Sequence, residues 1–253
     1  EQVTGLLADG LAKRGVDVTL FATLDSQTAA TLDGVSARGY EEDANLDGRI
    51  WEGLHVSHAL ARSDEFDLVH NHLDWLPLAF SKFCRARMLT TIHGFSDPKI
   101  LPAYQAADSA YVSISDADRA PELNYVATIY HGIDLRLFTF SPTGGEDLVI
   151  LGRIHPDKGT AYAIDIARRA GRRLKIAGPI QDQSYFSEQI EPLIDDHQVC
   201  YLGSVGPTQR AELLASAAAL LHPVAFAEPF GLSVVESMAA GTPVVAYNRG
   251  SMP

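Results

Sequence analysis

The sequence predicts an α/β protein made of two Rossmann-like domains, with parallel sheets facing a central cleft. Three observations carry this reading. Short apolar, β-branched-rich runs alternate with longer runs of helical period. Several of the short runs, such as 148–151, are apolar nearly throughout, which suits parallel strands covered by helices on both faces. A polar stretch with Pro and paired Gly divides the runs into two sets of similar size. At 253 residues and 46% hydrophobic, the chain can bury one large core or two medium ones.

The strands are expected at 16–23, 68–71, 88–93, 110–115 and 126–130 in the first half. In the second half they are expected at 148–154, 173–177, 199–202, 219–223 and 243–247. The dividing stretch is 141–147, reading SPTGGED, and the expected domains are 1–143 and 144–253. In such doubly wound sheets, ligands bind beyond the carboxyl ends of the strands. The chain opens on Glu1, with Val3, Leu6, Leu7 and Leu11 already at helical spacing, and ends at Pro253 shortly after a strand. The expectation is a fragment lacking both ends.

Net charge is −12, which argues against general nucleic-acid binding, because that needs a basic surface to displace counterions. Two cysteines, Cys84 and Cys200, lie far apart without a CxxC pair. That disfavours a disulfide framework or a structural zinc site and suits a reducing cytoplasm. No run approaches the ~18 apolar residues of a membrane-spanning helix, and no signal peptide is visible.

Residues 151–159 read LGRIHPDKG, between an apolar strand and a helix with Ala161, Ile164 and Ala167 on its apolar face. Gly152 permits close backbone approach. Arg153 and Lys158 add fixed positive charge where a helix N-terminus adds its own. A diphosphate fits this chemistry; an ordinary βα turn with two surface cations fits the spacing as well.

Residues 228–236 read EPFGLSVVE. Pro229 disfavours helix at Glu228, so that carboxylate belongs to a loop. Two readings of Glu236 stay open. Ser233 and Glu236 have capping-box spacing, with Ser233 as N-cap and a helix running to Gly241. Alternatively, Glu236 accepts hydrogen bonds from ribose hydroxyls while Glu228 and the amides near Gly231 hold a sugar.

His93 and Gly94 end a strand, which places His93 either in the cleft or as a packed loop histidine. His70 and His72 share a strand-tip face, but no third metal ligand stands near them in the sequence. Asp116 and Asp118 form a DxD after Ser115, where acids at a helix start suffice as an explanation. The basic runs Arg168–Lys175 and 81–87 (SKFCRAR) read as solvated faces before anionic membrane contacts.

These residues, taken together, resemble glycosyltransferase family 4, retaining enzymes of the two-Rossmann GT-B class. RGVDVTLFAT, DLVHNHLDW, TIHG and YHGID match its first-domain segments. LGRIHPDKG and HPVAFAEPFGLSVVESMAAGTPVVA match its second, with the E-x7-E spacing of Glu228 and Glu236. The resemblance covers nearly the whole chain.

The resemblance implies an acceptor-side first domain lacking its first strand, and a donor-binding second domain lacking its C-terminal part. The family's Gly-rich loop after that first strand would precede Glu1. It implies transfer of a sugar from a nucleotide diphosphate sugar, UDP-sugar first and GDP- or ADP-sugar next, to a small-molecule or oligosaccharide hydroxyl. No metal or other cofactor is required. Arg153 and Lys158 would contact the diphosphate beside Gly152, and Glu236 the ribose. Glu228 would contact the sugar, with the Phe230, Gly231 and Leu232 amides nearby, and His93 would sit near the anomeric centre. His131 stands where the family usually has Asn. A nucleotide-sugar epimerase of the same fold, and a nucleotide-sugar-binding module without catalysis, remain alternatives.

Overall fold

In the computed structural model, residues 2–40, 43, 45–95 and 98–253 are described. The chain divides into two compact units, residues 1–132 and 133–253.

The first unit runs α1 (Gln2–Lys13), β1 (Thr19–Phe21), β2 (Thr31–Asp33), α2 (Gly48–Ala61), β3 (Leu68–Asn71), α3 (Trp75–Ala79), β4 (Arg87–Ile92), α4 (Leu101–Ala106), β5 (Ala110–Ser113) and β6 (Tyr125–Thr128). Its main sheet has the order β3-β4-β5-β6, all parallel, and β1 pairs in parallel with β2. Leu78, Met88, Ile92, Tyr104, Tyr111 and Leu123 form the core between the main sheet and its helices. The strands expected in this half are present, with ends moved by up to three residues. β2 was not foreseen: three residues reading TLD carry no apolar run and are held by pairing with β1 and by the bonds of the Asp33 carboxylate to His58 and Arg62. Among the described residues, no helix lies between β5 and β6. Ser115 Oγ instead accepts the Asp118 N–H at 3.1 Å, a local turn in place of the expected helix start.

The second unit runs β7 (Leu148–Leu151), α5 (Thr160–Arg169), β8 (Leu174–Ala177), α6 (Gln183–Tyr185), β9 (Val199–Tyr201), α7 (Pro207–Ala215), β10 (Ala219–His222), α8 (Leu232–Ala239) and β11 (Val244–Ala246). Its five strands are parallel, in the order β11-β10-β7-β8-β9. Alternation along β7 divides the core into two layers. Leu148 and Ile150 pack with Ala163, Ile164 and Ala167 of α5, whereas Val149 packs with Leu213 and Leu214 of α7. Arg168 and Arg169 close α5, where cations complement the macrodipole.

The domain boundary falls earlier than the sequence reading put it. Phe138 packs on the Leu214 cluster, the Ser141 N–H bonds to the Ala240 carbonyl at 2.9 Å, and the Gly145 N–H bonds to the Ala217 carbonyl at 3.3 Å. Residues 133–143 thus belong to the second unit, and SPTGGED is packed rather than a free linker. Its glycines are needed for closeness: a Cβ on Gly145 would stand 2.1 Å from the Ser216 carbonyl oxygen.

Candidate active site

The chain leaves the central strand β7 and winds outward through β8 and β9. It then crosses back to β10 on the other side of β7. The loops after β7 and β10 therefore diverge at their carboxyl ends, the switch point where such sheets open a crevice for ligands. The loop after β7 carries Gly152, Arg153 and Lys158, and the stretch after β10 carries Phe226 and Glu228.

Gly152 adopts φ 151, and the neighbouring strand loop approaches it so closely that a Cβ on Gly178 would lie 1.9 Å from the Gly152 carbonyl oxygen. The exposed Arg153 guanidinium donates from Nη1 to Gln181 Oε1 at 2.5 Å. A one-turn 3-10 helix, Pro156–Lys158, follows, capped by the His155 ring, which accepts the Asp157 N–H at 3.3 Å. Gly159, left-handed at φ 72, then starts α5 directly beneath the exit of β10. A Cβ there would lie 2.3 Å from the Pro223 carbonyl oxygen. That close approach sets Lys158 against the β10 loop.

Lys158 Nζ donates to Glu228 Oε2 at 2.7 Å, and the two side chains are 18% and 12% exposed. The ammonium also lies 4.8 Å from the centre of the Phe226 ring, a cation–π contact. His222, buried at the end of β10, places Nε2 3.7 Å from the same carboxylate oxygen. Burial lowers the His222 pKa; Glu228 pulls it up and Lys158 pushes it down. His222 and Phe226 were not singled out from the sequence. Their only signal was their place at the end of a strand and in the loop that follows it.

The capping-box reading of Glu236 is overturned. Helix α8 begins at Leu232, one residue before Ser233, and its N-cap is the left-handed Gly231 at φ 85, with no side-chain cap. Ser233 is therefore inside the helix. Glu236 is 2% exposed, and its Oε1 lies 3.1 Å from Arg210 Nη2 of α7. That oxygen has no aligned hydrogen-bond donor among the described residues, so the attraction is one of charge. Burial raises the Glu236 pKa and Arg210 opposes it. Nothing in the sequence pointed to Arg210. Phe230, Gly231 and Leu232 lie at the start of α8, and the Ser251 hydroxyl donates to the Phe230 carbonyl at 2.9 Å.

In the first unit, His93 follows β4 and is partly buried between two other histidines, His72 and His131. His70 donates or accepts through Nε2 with Thr91 Oγ1 at 2.8 Å. The fold thus brings more imidazoles to His72 than the sequence suggested. Yet no group of three or more His, Cys, Asp or Glu side chains among the described residues could hold a metal ion. Asp116 accepts from the Thr128 hydroxyl at 2.9 Å, and burial pushes the Asp118 carboxyl up to about 6. Both cysteines are free thiols. No helix among the described residues is long and apolar enough to cross a membrane.

Comparison with known proteins bears on the family and the fold. The profile of Glycosyl transferases group 1 matches residues 136–253, and that of Glycosyltransferase Family 4 matches residues 1–137. A glycogen synthase of Mycobacterium tuberculosis is 30% identical over 226 residues, covering 76% of this chain and 54% of its own. The chain thus spans about half the length of that relative. The crystal structure of AviGT4, a glycosyltransferase involved in avilamycin A biosynthesis, superposes with a TM-score of 0.71 at 25% identity, covering 98% of this chain and 70% of its own. The structure of Anabaena HepE in complex with UDP and glucose gives 0.75 at 20% identity, covering 98% and 77%. The fold is that of the GT-B glycosyltransferases, and the chain belongs to glycosyltransferase family 4.

Proposed function

We propose that the protein is a retaining, metal-independent glycosyltransferase that moves a sugar from a nucleotide diphosphate sugar to a hydroxyl acceptor. The observation that supports this most is the Lys158–Glu228 pair at the sheet's switch point. Each charge partly neutralises the other. A donor can part them, with Lys158 turning to the diphosphate and Glu228 accepting from sugar hydroxyls. Arg153 offers a planar fork to phosphate oxygens, Gly152 presents no side chain, and the N-terminus of α5 adds its dipole. These fixed charges stabilise the leaving diphosphate in the role a metal plays elsewhere.

In this reading the anomeric carbon's bond to the phosphate oxygen breaks while its bond to the acceptor oxygen forms on the same face. The acceptor proton passes to the leaving phosphate oxygen, so no protein nucleophile is required. The first unit takes the acceptor side, with His93 near the anomeric centre, and the second binds the donor. The amides of Phe230, Gly231 and Leu232 lie near the sugar. Glu236 serves the ribose hydroxyls only if its carboxylate turns from Arg210 or its cover shifts, because it is 2% exposed. UDP-sugar is the first donor to test, with GDP- and ADP-sugars next. The acceptor is a small molecule or oligosaccharide, and the setting is cytoplasmic.

A nucleotide that binds the folded protein raises its stability by about 2.7 kcal/mol at a hundred times Kd. Melts with UDP, GDP, ADP and TDP should therefore show a shift with at least one, UDP first. No shift with any would overturn the donor site. Product analysis separates transfer from epimerisation: a sugar inverted without an acceptor would refute the transferase reading.

A further inference from the structure

Three histidines meet at the carboxyl edge of the first unit's main sheet. His72 follows β3, His93 follows β4, and His131 lies three residues beyond β6. His72 Nδ1 is 3.0 Å from His93 Nε2, and His93 Nδ1 is 3.2 Å from His131 Nε2. Ring centres are 5.2 Å apart in the first pair and 5.0 Å in the second, where the planes are stacked at 25°. Both ring nitrogens of His93 are thus engaged by other imidazoles.

All three rings are held neutral. Burial brings His72 down to about 3 and His93 down to about 4, and it lowers His131 as well; His70, His93 and His131 add to the effect on His72, and His131 and His70 to that on His93. His70, whose ring centre is 4.2 Å from that of His72, is lowered by the same burial.

A neutral imidazole has one N–H and one bare nitrogen. Each contact joins Nδ1 of one ring to Nε2 of the next. Suppose the proton of His93 is on Nε2. It then donates to a bare His72 Nδ1, so the proton of His72 is on its own Nε2. The bare Nδ1 of His93 must receive from His131 Nε2. With the proton of His93 on Nδ1, every assignment reverses. The geometry admits only states in which all three rings have the same tautomer, and changing one means changing all three.

We propose that His72 and His131 are positioning residues for His93, fixing its ring and the site of its proton through one shared tautomer. The catalytic consequence rests on the glycosyl-transfer reading: His93 meets the reacting sugar in one orientation, with its nitrogens already committed. The imidazole at 131 is what extends the unit beyond a pair.

Long-range proton–nitrogen correlation spectra of the nitrogen-15-labelled protein at neutral pH test this directly. The expected result is the same neutral tautomer at His72, His93 and His131. His131→Phe keeps a stacking ring but removes the nitrogen partner. It should move the His93 nitrogens towards the averaged positions of a tautomer mixture. His131→Gln, whose amide reaches the position of Nε2, should restore a single tautomer. Different tautomers among the three rings of the unaltered protein would overturn the proposal, whether or not the variants fold. So would an unchanged His93 pattern in a folded His131→Phe protein. A kinetic arm adds the consequence: His131→Phe should lower kcat without a matching loss of donor affinity. Absence of transfer in the unaltered protein would count against the glycosyl-transfer reading, while the spectra would still decide the tautomer unit.

Discussion

Lys158 and Glu228 are separated by 70 positions in the chain and by 2.7 Å in the fold, so each is the other's main counter-charge. Removing one leaves the other partly desolvated. Lys158→Ala or Glu228→Gln should each cost about 1–3 kcal/mol, less than a fully buried pair because both side chains keep some water. His222 reports which charge was lost. Lys158 pushes its pKa down and Glu228 pulls it up. Lys158→Ala should therefore raise the His222 pKa and Glu228→Gln should lower it, as read by NMR titration; shifts in the same direction would refute the pairing. In binding, Lys158→Ala should weaken a nucleoside diphosphate far more than the bare nucleoside. Equal losses would remove Lys158 from the phosphate role. Glu236 is a different case. Its carboxylate is buried against Arg210, so Glu236→Gln should reduce stability by about 1–3 kcal/mol in a denaturant titration even without nucleotide. An unchanged midpoint would mean that the carboxylate makes no net structural contribution. The residues that carry charge in this site were legible because Gly, Pro and strand ends bracket them. The partners that decide their behaviour were not. Arg210 sits on a helix with no motif around it, and His222 reads as one more buried strand residue.

At the scale of elements, the strands other than β2 were legible and the start of α8 was not. Apolar runs such as LVIL at 148–151 have one reading, because a strand buried on both faces needs nothing else. The start of α8 has two. Ser233 and Glu236 have capping spacing, but the fold places the N-cap two residues earlier, on Gly231. Only glycine takes φ 85 there without strain. Backbone demand overrode the side-chain signal, and the apolar spacing alone could not reveal it. Gly159 shows the same logic at the other helix of the site. It combines φ 72 with a contact to the Pro223 carbonyl that leaves no room for a methyl group. Gly159→Ala should therefore cost about 1–3 kcal/mol in strain and push α5 away from β10. Lys158 precedes Gly159 immediately, so the substitution should also weaken nucleoside diphosphate binding. Gly171→Ala, at φ 62 but with nothing near the added Cβ, is the control: it should lose stability with diphosphate affinity unchanged. Equal effects on affinity from both substitutions would show that the Gly159 contact does not set the site.

Across the whole molecule, buried neutral histidines are distributed unevenly, and that gives the protein a predictable response to acid. His55, His70, His72, His93 and His131 in the first unit are all lowered by burial from an ordinary value of 6.5, whereas the second unit has only His222 so affected. The unfolded chain binds protons at these positions as pH falls through 6.5, but the folded chain resists until its own lower values, about 4 for His93 and about 3 for His72. Between those limits the unfolded state holds more protons, so stability falls as pH falls. Asp118, pushed up to about 6 by burial, acts in the opposite direction between 6 and its ordinary 3.8, one group against five in the same unit. The first unit should therefore lose stability earlier than the second as pH drops from 6.5 towards 4. Hydrogen exchange measured at several pH values, corrected for the intrinsic rate at each, separates the two. Protection in β3, β4 and β5 should fall over this range while β7, β8 and β10 keep theirs. Loss of protection first in the second unit, or in both together, would show that these imidazoles are not held neutral by the fold.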